Sequence, residues 1–171
     1  MNTKSVSILL ISADETVEPL IRSSLQPHFP GLSLHFAIDY IQALDILGQT
    51  RVDLVLINQE AAEDQSLTAL RRLRAARPHL PIVMLIDLEC EELAEEALLA
   101  GVESYLFKTS KFLNRLARNL TAVLERAEQM VRLRSSEEKL RLIFEYAFDG
   151  ISIYEELPEI AGRRLLECNE R

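Results

Sequence analysis

The run Val52-Asp53-Leu54-Val55-Leu56-Ile57-Asn58 decides the fold. After Asp53 it is apolar without alternation until Asn58. A short unbroken stretch of Val, Leu and Ile reads as a strand buried on both faces, the setting of a parallel sheet. A strand with one wet face would alternate, and so brief a run gives a helix too little length. In open α/β sheets the chemistry lies beyond the carboxyl ends of the strands, so Asn58 stands where a functional side chain is expected.

Working outward, the same signature recurs on both sides. Upstream, Leu32 to Ala37 reads as a strand, and Asp39 as the cap of a helix with Ile41, Leu44, Ile46 and Leu47 on its apolar side. Before that, Val6 to Ile11 forms another buried strand. Ser12-Ala13-Asp14-Glu15 then leads into a helix presenting Val17, Leu20, Ile21 and Leu25, stopped by Pro27 and Pro30-Gly31. Downstream, Asp64-Gln65-Ser66 introduces a helix facing inward through Leu67, Leu70 and Leu73 and closed by Pro78 and Pro81. Ile82 to Ile86 is a strand, Glu89 to Ala100 an acidic helix with Gly101 as left-handed cap, and Glu103 to Phe107 the last strand. Strands alternating with helices across short loops imply an α/β, doubly wound, five-stranded parallel sheet, because each parallel connection needs a crossover.

Composition narrows the function classes. Apolar residues make up 48% of the 171 and aromatics 6%, with no Trp, so the core is aliphatic. Nineteen basic against 27 acidic side chains give a net charge of −8, which repels a polyanion, and no nucleic-acid partner is expected. The local exception, Arg71, Arg72, Arg74 and Arg77, reads as a solvated helix face. Cys90 and Cys168 fit no metal spacing and read as reduced thiols. The apolar run Val6 to Ile11 is too short for a signal peptide or a membrane span, so a cytoplasmic chain without a membrane partner is expected.

Four stretches carry a resemblance. Ile8-Leu9-Leu10-Ile11-Ser12-Ala13-Asp14, Ala37-Ile38-Asp39-Tyr40-Ile41-Gln42-Ala43-Leu44, Leu80-Pro81-Ile82-Val83-Met84-Leu85 and Ala100-Gly101-Val102-Glu103-Ser104-Tyr105-Leu106-Phe107-Lys108 stand around the central run in the register of a response-regulator receiver domain. Residues of about 5 to 124 resemble that family. The resemblance implies the flavodoxin-like strand order 2-1-3-4-5, with the switch point beside strands one and three.

It also implies a chemistry that this chain has lost. A receiver accepts a phosphoryl group on an aspartate at the position of Asn58, with Mg²⁺ held by an acid pair after the first strand. Here that pair is replaced by Ser12 and Ala13, leaving Asp14 nearby, and a neutral amide is a poor nucleophile and a weak ligand. The hydroxyl that the family carries at the end of strand four is Ile86, the Pro after its lysine is Thr109, and a Gly at the head of helix three is Ser66. Lys108 and Tyr105 keep the positions of the family's phosphoryl-contacting lysine and switch aromatic. Lys108 is expected to bond the Asn58 carbonyl or to pair with Asp14 or Asp87, and Tyr105 to act as a packing residue. His28, His35 and His79 have no partner motif, and neither a catalytic residue nor a metal or other cofactor is expected. Two other readings stay open: a phosphotransfer domain with Asp14 or Asp53 as acceptor, and a vacated pocket that binds a small ligand through Lys108.

Beyond Ser110 the chain reads as one long helix. Leu113, Leu116, Leu120, Val123, Ala127 and Met130 recur at spacings of three and four, the pattern of a coiled-coil seam whose early part must also pack on the sheet. The pattern predicts a parallel homodimer from about Leu116 to Met130, with a helix that folds back on its own domain or frays after Ala127 as the alternative. The phase then jumps to Leu133, Leu140, Phe144 and Ala147. Residues 136–151, ending in Asp149-Gly150-Ile151, resemble the opening helix and turn of a PAS sensor domain, with strands at Ile151 to Tyr154 and Arg164 to Asn169. The expected division is a receiver-like domain at 1–124, a helical linker at 125–148 and the start of a PAS domain at 149–171. The chain would then head a PAS-containing sensory protein such as a histidine kinase or cyclase, with a protein partner or a second copy of itself as its partner.

Overall fold

The computed structural model describes residues 5–59, 63–146, 152–157 and 162–168. The chain divides into two compact units, Met1–Ala127 and Glu128–Arg171. In the first, strands β1 (Val6–Ile11), β2 (Leu32–Ala37), β3 (Leu54–Asn58), β4 (Ile82–Ile86) and β5 (Ser104–Phe107) form one sheet in the order β2-β1-β3-β4-β5. All four pairings are parallel, and Asn58 lies opposite Leu85. This is the doubly wound arrangement that the apolar runs imply.

The unbroken runs hide a period of two that the sheet reveals. Leu9, Ile11, Val55, Ile57, Met84 and Ile86 join one buried cluster with helices α2 (Tyr40–Gln49), α3 (Glu63–Ala76) and α4 (Glu91–Leu99). Their strand neighbours Ile8, Leu10, Leu54, Leu56, Val83 and Leu85 join a second cluster with α1 (Val17–Leu25) and the start of α5 (Phe112–Tyr146). Both faces are dry, so alternation cannot show in the sequence. Each fully buried Leu or Ile contributes roughly 1.5–3 kcal/mol of transfer free energy.

Local chemistry sets the helix ends. Asp39 caps α2 by accepting the Gln42 N–H at 2.8 Å. Gly101, at φ 97°, ends α4 in a Schellman motif: the N–H of Val102 reaches the Ala97 carbonyl and that of Gly101 the Leu98 carbonyl, both at 3.0 Å. Asp64-Gln65-Ser66 lies inside α3, which begins at Glu63, rather than leading into it.

Several side chains depart from the sequence reading. On α1, Ile21 and Leu25 are buried, whereas Leu20 is exposed. On α2, the inward residues are Ala43 and Leu47, with Leu44 and Ile46 at the margin; Ile41 is exposed because it sits about 200° around the helix from Ala43. The four arginines of α3 and its end are not a uniformly solvated face. Arg74 donates to the Pro78 and Leu80 carbonyls at 2.8 and 2.9 Å, to the Gly101 carbonyl, and to Glu103 at 3.0 Å. Arg77 donates to the Leu47 carbonyl at 2.6 Å, and the Arg72 guanidinium lies 5.0 Å from the centre of the Tyr40 ring. A guanidinium carries several donors in a fixed fork, which lets one arginine satisfy the carbonyls of several loops.

The expected seam also needs correction. Leu116, Leu120 and Val123 are buried in the cluster beneath α5, so they complete the domain core and are not open to a partner helix. Spacings of three and four describe any helix with one covered face, and here the sheet covers it. Ala127 is half-buried and Met130 exposed. Within the second unit, Met130, Val131, Leu133, Leu140, Leu142 and Ile143 are all exposed. Strands β6 (Ser152–Leu157) and β7 (Gly162–Cys168) pair antiparallel there as a hairpin, with an irregularity between Ile153 and Tyr154. Ala147, the Asp149-Gly150-Ile151 turn and Asn169 lie outside the described residues.

Candidate functional site

Four strand ends converge at the carboxyl edge of the sheet. β1 runs out into Ser12, β3 ends at Asn58, β4 at Ile86, and Lys108 follows β5. Ser12 and Asn58 are buried, while Ala13 and Asp14 are exposed. Asn58 Nδ2 donates to Ser12 Oγ at 3.1 Å. Ser12 Oγ in turn donates to the Asp14 carbonyl at 3.0 Å and accepts the Asp14 N–H at 3.1 Å, forming a tight turn after β1. Asn58 Oδ1 is buried and has no hydrogen-bond partner among the described residues.

Asp14 is committed to its own turn. Its Oδ1 accepts the Thr16 N–H at 2.9 Å and the Thr16 hydroxyl at 2.6 Å. The Thr16 hydroxyl and amide, with a smaller contribution from the Lys108 charge, hold its carboxyl below the usual carboxylate value. Asp53 is remote from this edge. It precedes β3, where Oδ2 accepts the Ser7 N–H at 3.0 Å and Oδ1 lies 3.5 Å from Arg51 Nε. Asp53 therefore cannot replace Asn58 as an acceptor.

Lys108 finds partners of its own. Its Nζ lies 3.1 Å from Asp87 Oδ1, one of the expected pairings, and donates at 2.6 Å to the main-chain carbonyl of Gln59 rather than to Asn58. Ile86 is fully buried and turns into the apolar cluster beneath α2, α3 and α4. Tyr105 packs edge-on to Phe107 with ring centres 5.4 Å apart, the packing role its sequence context implies.

One participant carried no sequence signal. Gln59 is completely buried, and its Oε1 accepts the Asp87 N–H at 2.8 Å. A polar residue directly after an apolar strand reads as the start of a loop, and nothing in a linear pattern says that the side chain turns inward.

The family described as the response regulator receiver domain matches residues 8–117. The chain belongs to the response-regulator receiver family. Among curated relatives, "Response regulator MprA" of Mycobacterium bovis (strain BCG / Pasteur 1173P2) is 32% identical over 124 residues, covering 72% of this chain and 53% of that protein. The chain thus spans about half the length of the curated relatives it matches. Among solved structures, the signal receiver domain of an HD domain-containing protein from Pseudomonas fluorescens Pf-5 is 26% identical with a TM-score of 0.65, over 77% of this chain and 96% of that one. A CheY-like receiver domain protein from Methanospirillum hungatei JF-1, 18% identical with a TM-score of 0.64 over 74% and 99%, shares the fold.

The receiver's usual Mg²⁺ does not fit the donors that the described residues supply here. A hard cation of that size requires several oxygen ligands, carboxylates first among them. Among the described residues at this edge stand a serine hydroxyl engaged in a turn, an asparagine amide, an alanine, the Asp14 carboxylate already accepting two hydrogen bonds, and the Asp87 carboxylate paired with Lys108. Among the described residues no group of three or more His, Cys, Asp or Glu is placed to hold a metal. No described helix is long and apolar enough to cross a membrane.

Proposed function

We propose that this receiver domain accepts no phosphoryl group, has no catalytic activity, and serves as an interaction and dimerisation module at the head of a multidomain two-component sensory protein. In that reading the downstream part opens with a PAS domain, followed by a histidine kinase or cyclase output. The observation that carries the proposal is the hydrogen bond from the Asn58 amide to Ser12 Oγ, made where a receiver would oppose two carboxylates across a metal. The pairing of Lys108 with Asp87 supports it, because the cation that would meet a phosphoryl oxygen is already neutralised. Dimerisation would be parallel and would use α5 beyond the core residues, from Ala127 and Met130 onward. A helix face carrying exposed Met130, Val131 and Leu133 calls for a partner.

A restoration series tests the phosphoryl part. Asn58→Asp alone stays unmodified by acetyl phosphate with Mg²⁺, and Ser12→Asp and Ala13→Asp must be added before intact mass shows a phosphoryl group. Normal Mg²⁺-dependent phosphorylation of the single variant would contradict the proposal. Light scattering on residues 1–171 and on a version ending at Ala127 tests the dimer: the long form dimerises and the short form is monomeric. Two monomers at high micromolar concentration would rule it out.

A further inference from the structure

We propose that Gln59, Asp87 and Lys108 form a latch that fixes the connection between β4 and α4 in one arrangement, so that α4 keeps its position without any phosphoryl signal. The inference rests on the reading above that this receiver is not phosphorylated. Its basis is a closed set of contacts joining the ends of three strands. The Gln59 N–H donates to the Leu85 carbonyl at 2.8 Å, and Gln59 Oε1 accepts the Asp87 N–H at 2.8 Å. The Gln59 carbonyl accepts Lys108 Nζ at 2.6 Å, the same Nζ pairs with Asp87 Oδ1 at 3.1 Å, and the Lys108 N–H donates to the Ile86 carbonyl at 2.8 Å. The ends of β3, β4 and β5 are therefore tied through one buried amide and one half-buried ammonium.

The chemistry of Gln59 separates a latch from ordinary packing. Its Nε2 is buried without a hydrogen-bond partner among the described residues, and leaving an amide donor unsatisfied in a dry site is destabilising. An apolar side chain of similar shape would avoid that cost. What the amide supplies in return is the bond from Oε1 to the Asp87 N–H, which anchors the first residue of the β4–α4 connection. Next to it, Ile86 offers no hydroxyl that could be drawn toward an incoming group and carry the loop with it.

Hydrogen exchange on the 171-residue chain, without phosphodonor, tests the latch in Gln59→Met and Lys108→Met. In Gln59→Met the amides of residues 87–90 exchange roughly five- to tenfold faster, as expected for loss of one hydrogen bond. Its unfolding midpoint is unchanged or raised, because the orphaned amide has gone. Lys108→Met opens the same segment, and serves as the second variant should Gln59→Met fold poorly. Unchanged exchange at residues 87–90 in both variants would overturn the latch. So would faster exchange spread evenly over the sheet with a lowered midpoint, the mark of plain destabilisation. Because no phosphodonor is used, a failed latch leaves the phosphorylation result standing, and a phosphorylated chain leaves the exchange result standing.

Discussion

The interior of the sheet and its carboxyl edge obey different rules in this molecule. Inside, β1, β3 and β4 keep the predominantly Val, Leu and Ile content that two dry faces demand, with Met84 in β4 and Ser7 near the start of β1. At the edge, the residues that would give a receiver its chemistry have become Ser12, Ala13, Asn58 and Ile86, and the space is held by local hydrogen bonds. Under the proposed function the fold outlasts its reaction, because the packing that specifies it resides in side chains other than those that would perform the reaction.

The edge should be far cheaper to disturb than the interior. Leu56→Ala, at a fully buried position, should lower stability by about 2–5 kcal/mol in urea unfolding. Asn58→Ala should change it by no more than about 1 kcal/mol, since it removes one hydrogen bond together with a buried oxygen that has no partner among the described residues. Equal losses would mean that the edge bears structural weight that its contacts do not reveal.

Arg74 ties loops together at the opposite, amino end of the sheet. Arg74→Met leaves the Pro78, Leu80 and Gly101 carbonyls without their donor and should cost about 2–3 kcal/mol by the same measurement. A neutral result would return this arginine to the solvated face that its spacing suggests. Gly101→Ala should cost roughly 1–2 kcal/mol, because its positive φ penalises any Cβ and an added one would lie 3.2 Å from Arg74 Nε.

What was legible in the sequence follows the same division. Strands β1, β2 and β4 have the bounds their apolar runs give, and Asp39 and Gly101 cap the helices their residue types predict. These features are local, or depend only on burial. Side-chain partners at the edge are readable only as far as charge reaches: opposite signs leave Asp14 and Asp87 both open to Lys108 and the structure selects Asp87, whereas the inward turn of Gln59 depends on loops brought together from three parts of the chain. The α5 stripe is ambiguous in sequence for a related reason: where its sheet-packed part ends is not written in it. Periodicity reports that a face is covered, and cannot say whether the sheet or a second helix covers it.

The smallest expected effect concerns pH. The Asp14 carboxyl titrates below its ordinary value of 3.8, chiefly because of Thr16. Its stabilising contribution is therefore complete above that value and is lost as pH falls through the lower folded value. Wild type and Asp14→Asn should give parallel stability profiles from pH 5 to 8 and converge only in acid, as followed by thermal melts. A difference that grows with rising pH through neutrality would point to a partner for Asp14 other than Thr16.

The central claim, a receiver fold without receiver chemistry, is tested most directly by intact-mass spectrometry of the unaltered chain after incubation with acetyl phosphate and Mg²⁺. The account predicts an unchanged mass at every time point. A stoichiometric gain of one phosphoryl group, abolished by replacing a single aspartate at the carboxyl edge of the sheet, would contradict it.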